Sequence, residues 1–175
     1  MDDYRFDFLN ENYLEDIMNL QDICIANSDL IFASNEETYK LSFRDKNFCT
    51  GVFIEDKLIA FCNCTHPAPD NKRNLGIGVI EDNNLDKVGH INTILIHPNY
   101  RQKGLGKQII NFCVNAFSEK SLIVNYVMTT VDAANEPSLS MFLKINFTVV
   151  NEKKYHAHEG DLGRFVLLRT KDEDE

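Results

Sequence analysis

The stretch IHPNYRQKGLGKQII, residues 96–110, sets Arg101, Gly104 and Gly106 where a strand-forming run gives way to a helical one. The first turn of a helix carries unpaired backbone N–H groups and the positive end of the helix dipole, so it attracts anions, phosphate above all. Glycine there lets a bulky phosphate approach the main chain. Two phosphate-binding patterns are excluded by inspection. A Walker loop requires Gly where Arg101 stands and Ser or Thr where Gln108 stands, and a dinucleotide fingerprint requires a third Gly where Ile109 stands. What remains is Arg-x-x-Gly-x-Gly, preceded by His97-Pro98-Asn99-Tyr100.

Outward from this junction, Val88 to His97 is the strongest strand pattern, and Leu105, Ile109, Phe112, Cys113 and Ala116 mark the apolar face of a long helix. Upstream, Tyr4 to Leu9 reads as a first strand. Ile17, Leu20, Gln21 and Cys24 recur at helical spacing, predicting a helix from about Asn12 to Ala26. Ser34 with Glu37 makes a capping-box pattern for a short helix over residues 35–43. Phe48 to Glu55 and Leu58 to His66 read as a hairpin around Asp56-Lys57. Downstream come a strand from Ile123 to Val131, a helix from Pro137 to Asn146 with Asn135 as its cap, and a closing pair, Phe147 to Tyr155 and Arg164 to Arg169. The order β-α-α-β-β-β-α-β-α-β-β predicts an α/β domain around one mixed sheet.

The composition narrows the function classes. With 175 residues, 43% of them hydrophobic, and twelve Phe, the chain can bury the core of one ordinary domain. Its 27 acidic against 18 basic residues leave a net charge of −9, which argues against nucleic acid or an anionic membrane as partner. Five cysteines in apolar segments suit buried thiols in a reducing compartment, so the expected location is cytoplasmic. No run approaches the ~18 apolar residues of a membrane span, and MDDYRFDFLNE lacks the marks of a signal peptide. The charged tail 171–175, KDEDE, is expected to be disordered, leaving residues 1–170 as the domain.

The Arg-x-x-Gly-x-Gly loop, the preceding strand HINTILIHP and the element order together resemble the GNAT superfamily of acetyltransferases. In that family such a loop cradles the pyrophosphate of acetyl-coenzyme A. The resemblance covers nearly the whole chain and implies a single domain. Its central sheet would be mixed but mostly antiparallel, with about seven strands flanked by about four helices. It assigns Ile94, Leu95 and Ile96 to main-chain contacts with the pantetheine arm and the thioester carbonyl, Leu95 doubling as the catalytic oxyanion donor. It assigns Gln102, Lys103, Gly104, Leu105, Gly106 and Lys107 to the pyrophosphate and Asn135 to a hydrogen bond with the coenzyme, a role compatible with capping. It further implies acetyl transfer to a small-molecule or peptide amine, acetyl-coenzyme A as co-substrate, no metal, and a monomer or homodimer.

Two positions depart from the family pattern. Where relatives carry a Tyr that protonates the departing thiolate, this chain has Phe142, and where many carry a Glu on the central strand it has Asn92. Phenylalanine donates no proton and asparagine accepts none. Asn146-Phe147 stands in place of Gly-Phe, and Asn tolerates the left-handed conformation at a helix end. Leu139, Phe142 and Leu143 at i, i+3, i+4 predict that the Phe142 ring faces the core. Substitute acids or bases are Asp132, His90 and Tyr155. The plainer reading of Asp132 is a turn carboxylate, of His90 a structural histidine, though one able to titrate near neutrality, and of Tyr155 a half-buried strand residue. Ser138, one turn before Phe142, is placed to carry a water.

Cys62-x-Cys64-x-His66 points three metal-type ligands to one strand face, and without a second cluster at zinc spacing it reads as packed thiols. His156-x-His158-Glu159 reads as a hairpin tip, and Gly76-Ile77-Gly78 as a turn. The segments 27–35 and 155–163 would flank the amine end in a GNAT enzyme. Asp29, Glu36, Glu37, Glu159 and Asp161 lie in or beside them, consistent with a cationic acceptor.

Overall fold

The computed structural model describes residues 3–157 and 160–171, without the side chains from 155 to 162. Seven strands are hydrogen-bonded in the order β1-β2-β3-β4-β5-β7-β6: β1 Arg5–Leu9, β2 Phe48–Ile54, β3 Lys57–Thr65, β4 Val88–Ile96, β5 Tyr126–Asp132, β6 Thr148–Ala157 and β7 Gly160–Thr170. The helices are α1 Leu14–Ile25, α2 Glu36–Leu41, α3 Leu105–Glu119 and α4 Glu136–Leu143. The β1/β2, β2/β3, β5/β7 and β6/β7 ladders are antiparallel and the β4/β5 ladder is parallel. This is the α/β class with a mostly antiparallel sheet that the sequence predicts.

By internal contacts the chain divides into two compact units, Met1–Thr65 with Ile91–Ala116, and His66–His90 with Phe117–Glu175. In the first, Leu9, Ile17, Leu20, Cys24, Tyr39, Phe53, Phe61 and Leu95 share one core cluster. Helix α1 buries Ile17, Leu20, Gln21 and Cys24, the face that its spacing predicts. Gln21 is a buried polar residue whose amide nitrogen and oxygen both have partners. Its Nε2 donates to Ser34 O at 2.9 Å, and its Oε1 accepts from Ser34 N–H at 2.8 Å and from the Tyr39 hydroxyl at 2.6 Å. With Ser34 held there, the cap of α2 passes to Asn35, whose side chain accepts the Thr38 N–H at 2.9 Å. Asn35, not Ser34, is therefore the helix start.

In the second unit Val88, Met128 and Val166 form a cluster joined by Leu75, Ile80 and Tyr126. Gly89 admits no side chain: a Cβ would lie 2.8 Å from the Phe117 ring. The connection 66–87 is organised by Asn74, 1% exposed, which donates to Leu85 O at 3.1 Å and accepts from Gly76 N–H at 2.9 Å. Strand β5 begins at Tyr126, later than the expected Ile123, which is 72% exposed. Asn146 has φ 70°, closing α4 in the left-handed conformation. Leu143 is 46% exposed, so only Phe142 of the expected i+3, i+4 pair is buried. Of the tail, Lys171 is described and its Nζ donates to Ser118 Oγ at 2.9 Å. Residues 172–175, like the tip residues His158 and Glu159, lie outside the described residues.

Candidate functional site

The first unit assembles a strand end, a loop and a helix start into one feature. Strand β4 ends at Ile96, His97 N–H donates to Ile59 O at 2.8 Å, and His97 Nδ1 accepts the Asn99 N–H at 3.2 Å. A 3-10 turn over Pro98–Tyr100 follows. Gln102 and Gly104 then take positive φ, 60° and 79°, before α3 begins at Leu105. These two left-handed residues turn the chain into the helix. A Cβ built at Gly104 meets nothing within 4 Å, so the glycine is required by its backbone angle and faces open space.

Gln102, Lys103, Gly104 and Lys107 are exposed, whereas Leu105 and Gly106 are buried at the start of the helix. The first intrahelical bond here runs from Gln108 N–H to Gly104 O at 3.3 Å. The N–H groups of Leu105, Gly106 and Lys107 therefore precede the first residue that can bond within the helix. No acidic residue occupies that first turn, and Lys103 and Lys107 add positive charge. Lys103 Nζ also sits 5.3 Å from the centre of the Tyr100 ring.

Arg101 fixes the loop to the strand. Its Nε donates to Ile96 O at 3.0 Å, and the Cys24 thiol reaches the same carbonyl at 3.4 Å. Burial pushes the Cys24 thiol up despite Arg101 beside it, so it is held as a neutral donor. The Ile96 carbonyl is thereby occupied by two donors. Neither partner was visible in the sequence as a pair: Cys24 lies 72 residues from Ile96, and only the fold joins them. The parallel β4/β5 ladder has three pairs, Val88↔Tyr126, Gly89↔Val127 and His90↔Met128, so the stretch carrying Ile94, Leu95 and Ile96 lies beyond it.

The other candidates, Asn92 apart, belong to the second unit. Asn135 accepts the Ser138 N–H at 3.2 Å and so caps α4, while Asp132 accepts the Ala134 N–H at 2.8 Å and closes the turn before it. Phe142 is 2% exposed and meets Phe147 edge-on at 5.0 Å. His90 accepts the Leu75 N–H on Nε2 at 3.1 Å and is 6% exposed. Burial, followed by the charges of Lys153 and His66, pulls its pKa down to about 4. It is therefore neutral at pH 7, and its expected titration near neutrality is corrected. Tyr155 lies on β6 opposite Leu162, its side chain outside the described residues. Asn92, in the first unit, is exposed and donates from Nδ2 to Thr65 Oγ1 at 3.3 Å.

Comparison with known proteins adds three findings. The model of the acetyltransferase (GNAT) family matches residues 14–147. A search of curated proteins finds no match. Among solved structures, the ribosomal-protein-S18-alanine N-acetyltransferase from Escherichia coli superposes with a TM-score of 0.73 at 12% identity, covering 99% of each chain. Arabidopsis thaliana NAA60 in complex with acetyl-CoA gives 0.76 at 15% identity, over 96% of this chain and 98% of that one. An N-acetyltransferase from Staphylococcus aureus Mu50 gives 0.73 at 12% identity, over 96% and 98%. At these identities the structural matches establish the fold.

Proposed function

The chain belongs to the GNAT acetyltransferase family, and from that premise we propose that it is an acetyl-coenzyme A-dependent N-acetyltransferase acting on an amine by direct attack on the thioester. The observation that carries this reading is the open, positively charged turn at Gly104, with φ 79° and no atom within 4 Å of an added Cβ, leading into the free N–H groups of α3. Those groups suit a pyrophosphate. Residues 102–107 would hold it, and the main chain of Ile94 to Ile96 would hold the pantetheine arm. Asn135 remains a candidate for one further hydrogen bond to the coenzyme.

The chemistry asked of this chain is modest. Holding an amine against a thioester lowers the barrier by several kcal/mol. The Leu95 N–H, aimed at the thioester oxygen, would add roughly 3 kcal/mol of oxyanion stabilisation. The leaving thiolate, with a pKa of about 8.5, departs tolerably without a dedicated acid. That matters because Phe142 and Asn92 offer neither proton donor nor base. His90, neutral with its lone pair given to Leu75, does not replace them. Asp132 and Tyr155 remain as candidates for proton transfer.

The acceptor is a small-molecule or peptide amine, with a cationic one favoured by the acidic residues near segments 27–35 and 155–163. The setting is cytoplasmic, the assembly a monomer or homodimer, and the functional domain residues 1–170. Among the described residues no helix is long and apolar enough to cross a membrane. Phe142, buried against Phe147, also supports a second reading, a protein that binds acyl-coenzyme A without turning it over. Release of free coenzyme from acetyl-coenzyme A over a panel of amines separates the two. Turnover above the no-amine rate is expected, and binding with no turnover on any amine would establish the sensor instead.

A further inference from the structure

Three thiols of the first unit meet at a place that acetyl transfer does not use. Cys62 and Cys64 are two apart on β3 and so share one face, and Cys113 lies on the buried face of α3. Their Sγ atoms all lie within 4.8 Å of one another, and each residue is 0% exposed. All three are free thiols. Thr50, opposite Cys62 in the β2/β3 ladder and also buried, sets its Oγ1 3.1 Å from Cys113 Sγ. The one hydroxyl proton of Thr50 is directed at Cys62 O, 3.4 Å away. His66, which the sequence suggests as third ligand, faces Asp86 O through Nε2 at 2.7 Å, and Cys113 takes the third place.

We propose that Cys62, Cys64 and Cys113 form a three-sulfur site for one soft, thiophilic cation, with Cu(I) the ion of best fit. Three sulfurs each about 2.3 Å from a shared centre lie about 4 Å apart in a plane, close to the spacing present. Zinc takes four ligands from Cys, His and carboxylate. Among the described residues the cluster of such groups numbers three. Cu(I) carries one positive charge, so one thiol gives up its proton on loading and the other two sulfurs bind as thiols, which leaves no net charge in the core. Because the residues are 0% exposed, loading belongs to folding: the ion enters before β3 and α3 close over it.

The test uses the full chain, unfolded and reduced, then refolded without oxygen in the presence or absence of equimolar Cu(I), and passed over a Cu(I) chelator. About one copper per chain is expected to be retained, with a raised melting temperature, as for any ion selective for the native state. Cys62→Ala and Cys113→Ala are expected to lose it, while Cys49→Ala, a buried thiol outside the trio, retains it. No copper in the wild-type protein, or full retention by Cys113→Ala, overturns the site. Should the alanine variants not refold, copper-edge X-ray absorption of the wild type decides: three sulfur neighbours support the site, and nitrogen or oxygen ligation sinks it. Acetyl-coenzyme A plays no part in any arm, so failure here leaves the coenzyme reading standing.

Discussion

The loop from Arg101 to Lys107 and the helix from Glu136 to Leu143 do their work with different material. The loop offers backbone: left-handed Gln102 and Gly104, then N–H groups at the start of α3. The helix, in the family pattern, offers one side-chain hydroxyl, and here Phe142 stands in its place, buried against Phe147. A site built from main chain survives nearly any change of sequence that keeps the dihedral angles. A site built from one functional group is lost with one substitution. On the proposed reading the chain keeps its coenzyme-binding loop and lacks the family's acid, so that binding and turnover become separable.

The largest effect is expected at Gly104. Valine there must adopt a positive φ, costing about 1–2 kcal/mol of stability, and its side chain enters the open space proposed for the pyrophosphate. Thermal shift by acetyl-coenzyme A should vanish while the variant still melts cooperatively. An undiminished shift would break the contrast, since the backbone would not then be the ligand.

His90 comes next. Its folded pKa of about 4 lies below the ordinary ~6.5, so between those values the unfolded chain binds more protons. Stability from this group is present above pH 6.5 and is lost as pH falls toward 4, by roughly 3 kcal/mol at most. Denaturant melts over that range should show a steeper loss for the wild type than for His90→Gln. Equal slopes would return His90 to the pool of groups titrating near neutrality, and with it a base.

Phe142→Tyr restores the missing hydroxyl. If the protein is an enzyme that only lost its acid, kcat should rise, by up to ~100-fold, with coenzyme affinity unchanged. Unchanged or lower turnover with intact binding would show that the site lacks more than a proton donor. A smaller effect, roughly 10-fold in coenzyme affinity, is expected for Arg101→Lys, because lysine cannot reproduce the Nε bond to Ile96 O and its placement of the loop. A variant with wild-type affinity would mean that the loop holds its shape without that bond.

The same division explains what could be read beforehand. Gly104, the strand before it and the α3 spacing are local signals, and each appears where the pattern places it. The cap of α2 is not local: Ser34 and Asn35 are both good caps, and Gln21, 13 residues away, decides between them by binding Ser34. Likewise nothing near Cys62 and Cys64 announces Cys113, or near Ile96 announces Cys24, because strand and helix meet only after folding. The burial that lowers the His90 pKa depends on the connection 66–87, whose turns Asn74 ties together from within. Leu143 follows the apolar period of α4 yet stays exposed, since that helix ends one residue later at its cap.

The central claim, that the main chain between Ile94 and Lys107 binds acetyl-coenzyme A, is tested most directly by isothermal titration of the coenzyme into the wild-type protein. Saturable binding well below millimolar, weakened by added salt as a pyrophosphate contact must be, is the expected result. No heat of binding at millimolar coenzyme would contradict the account at its foundation.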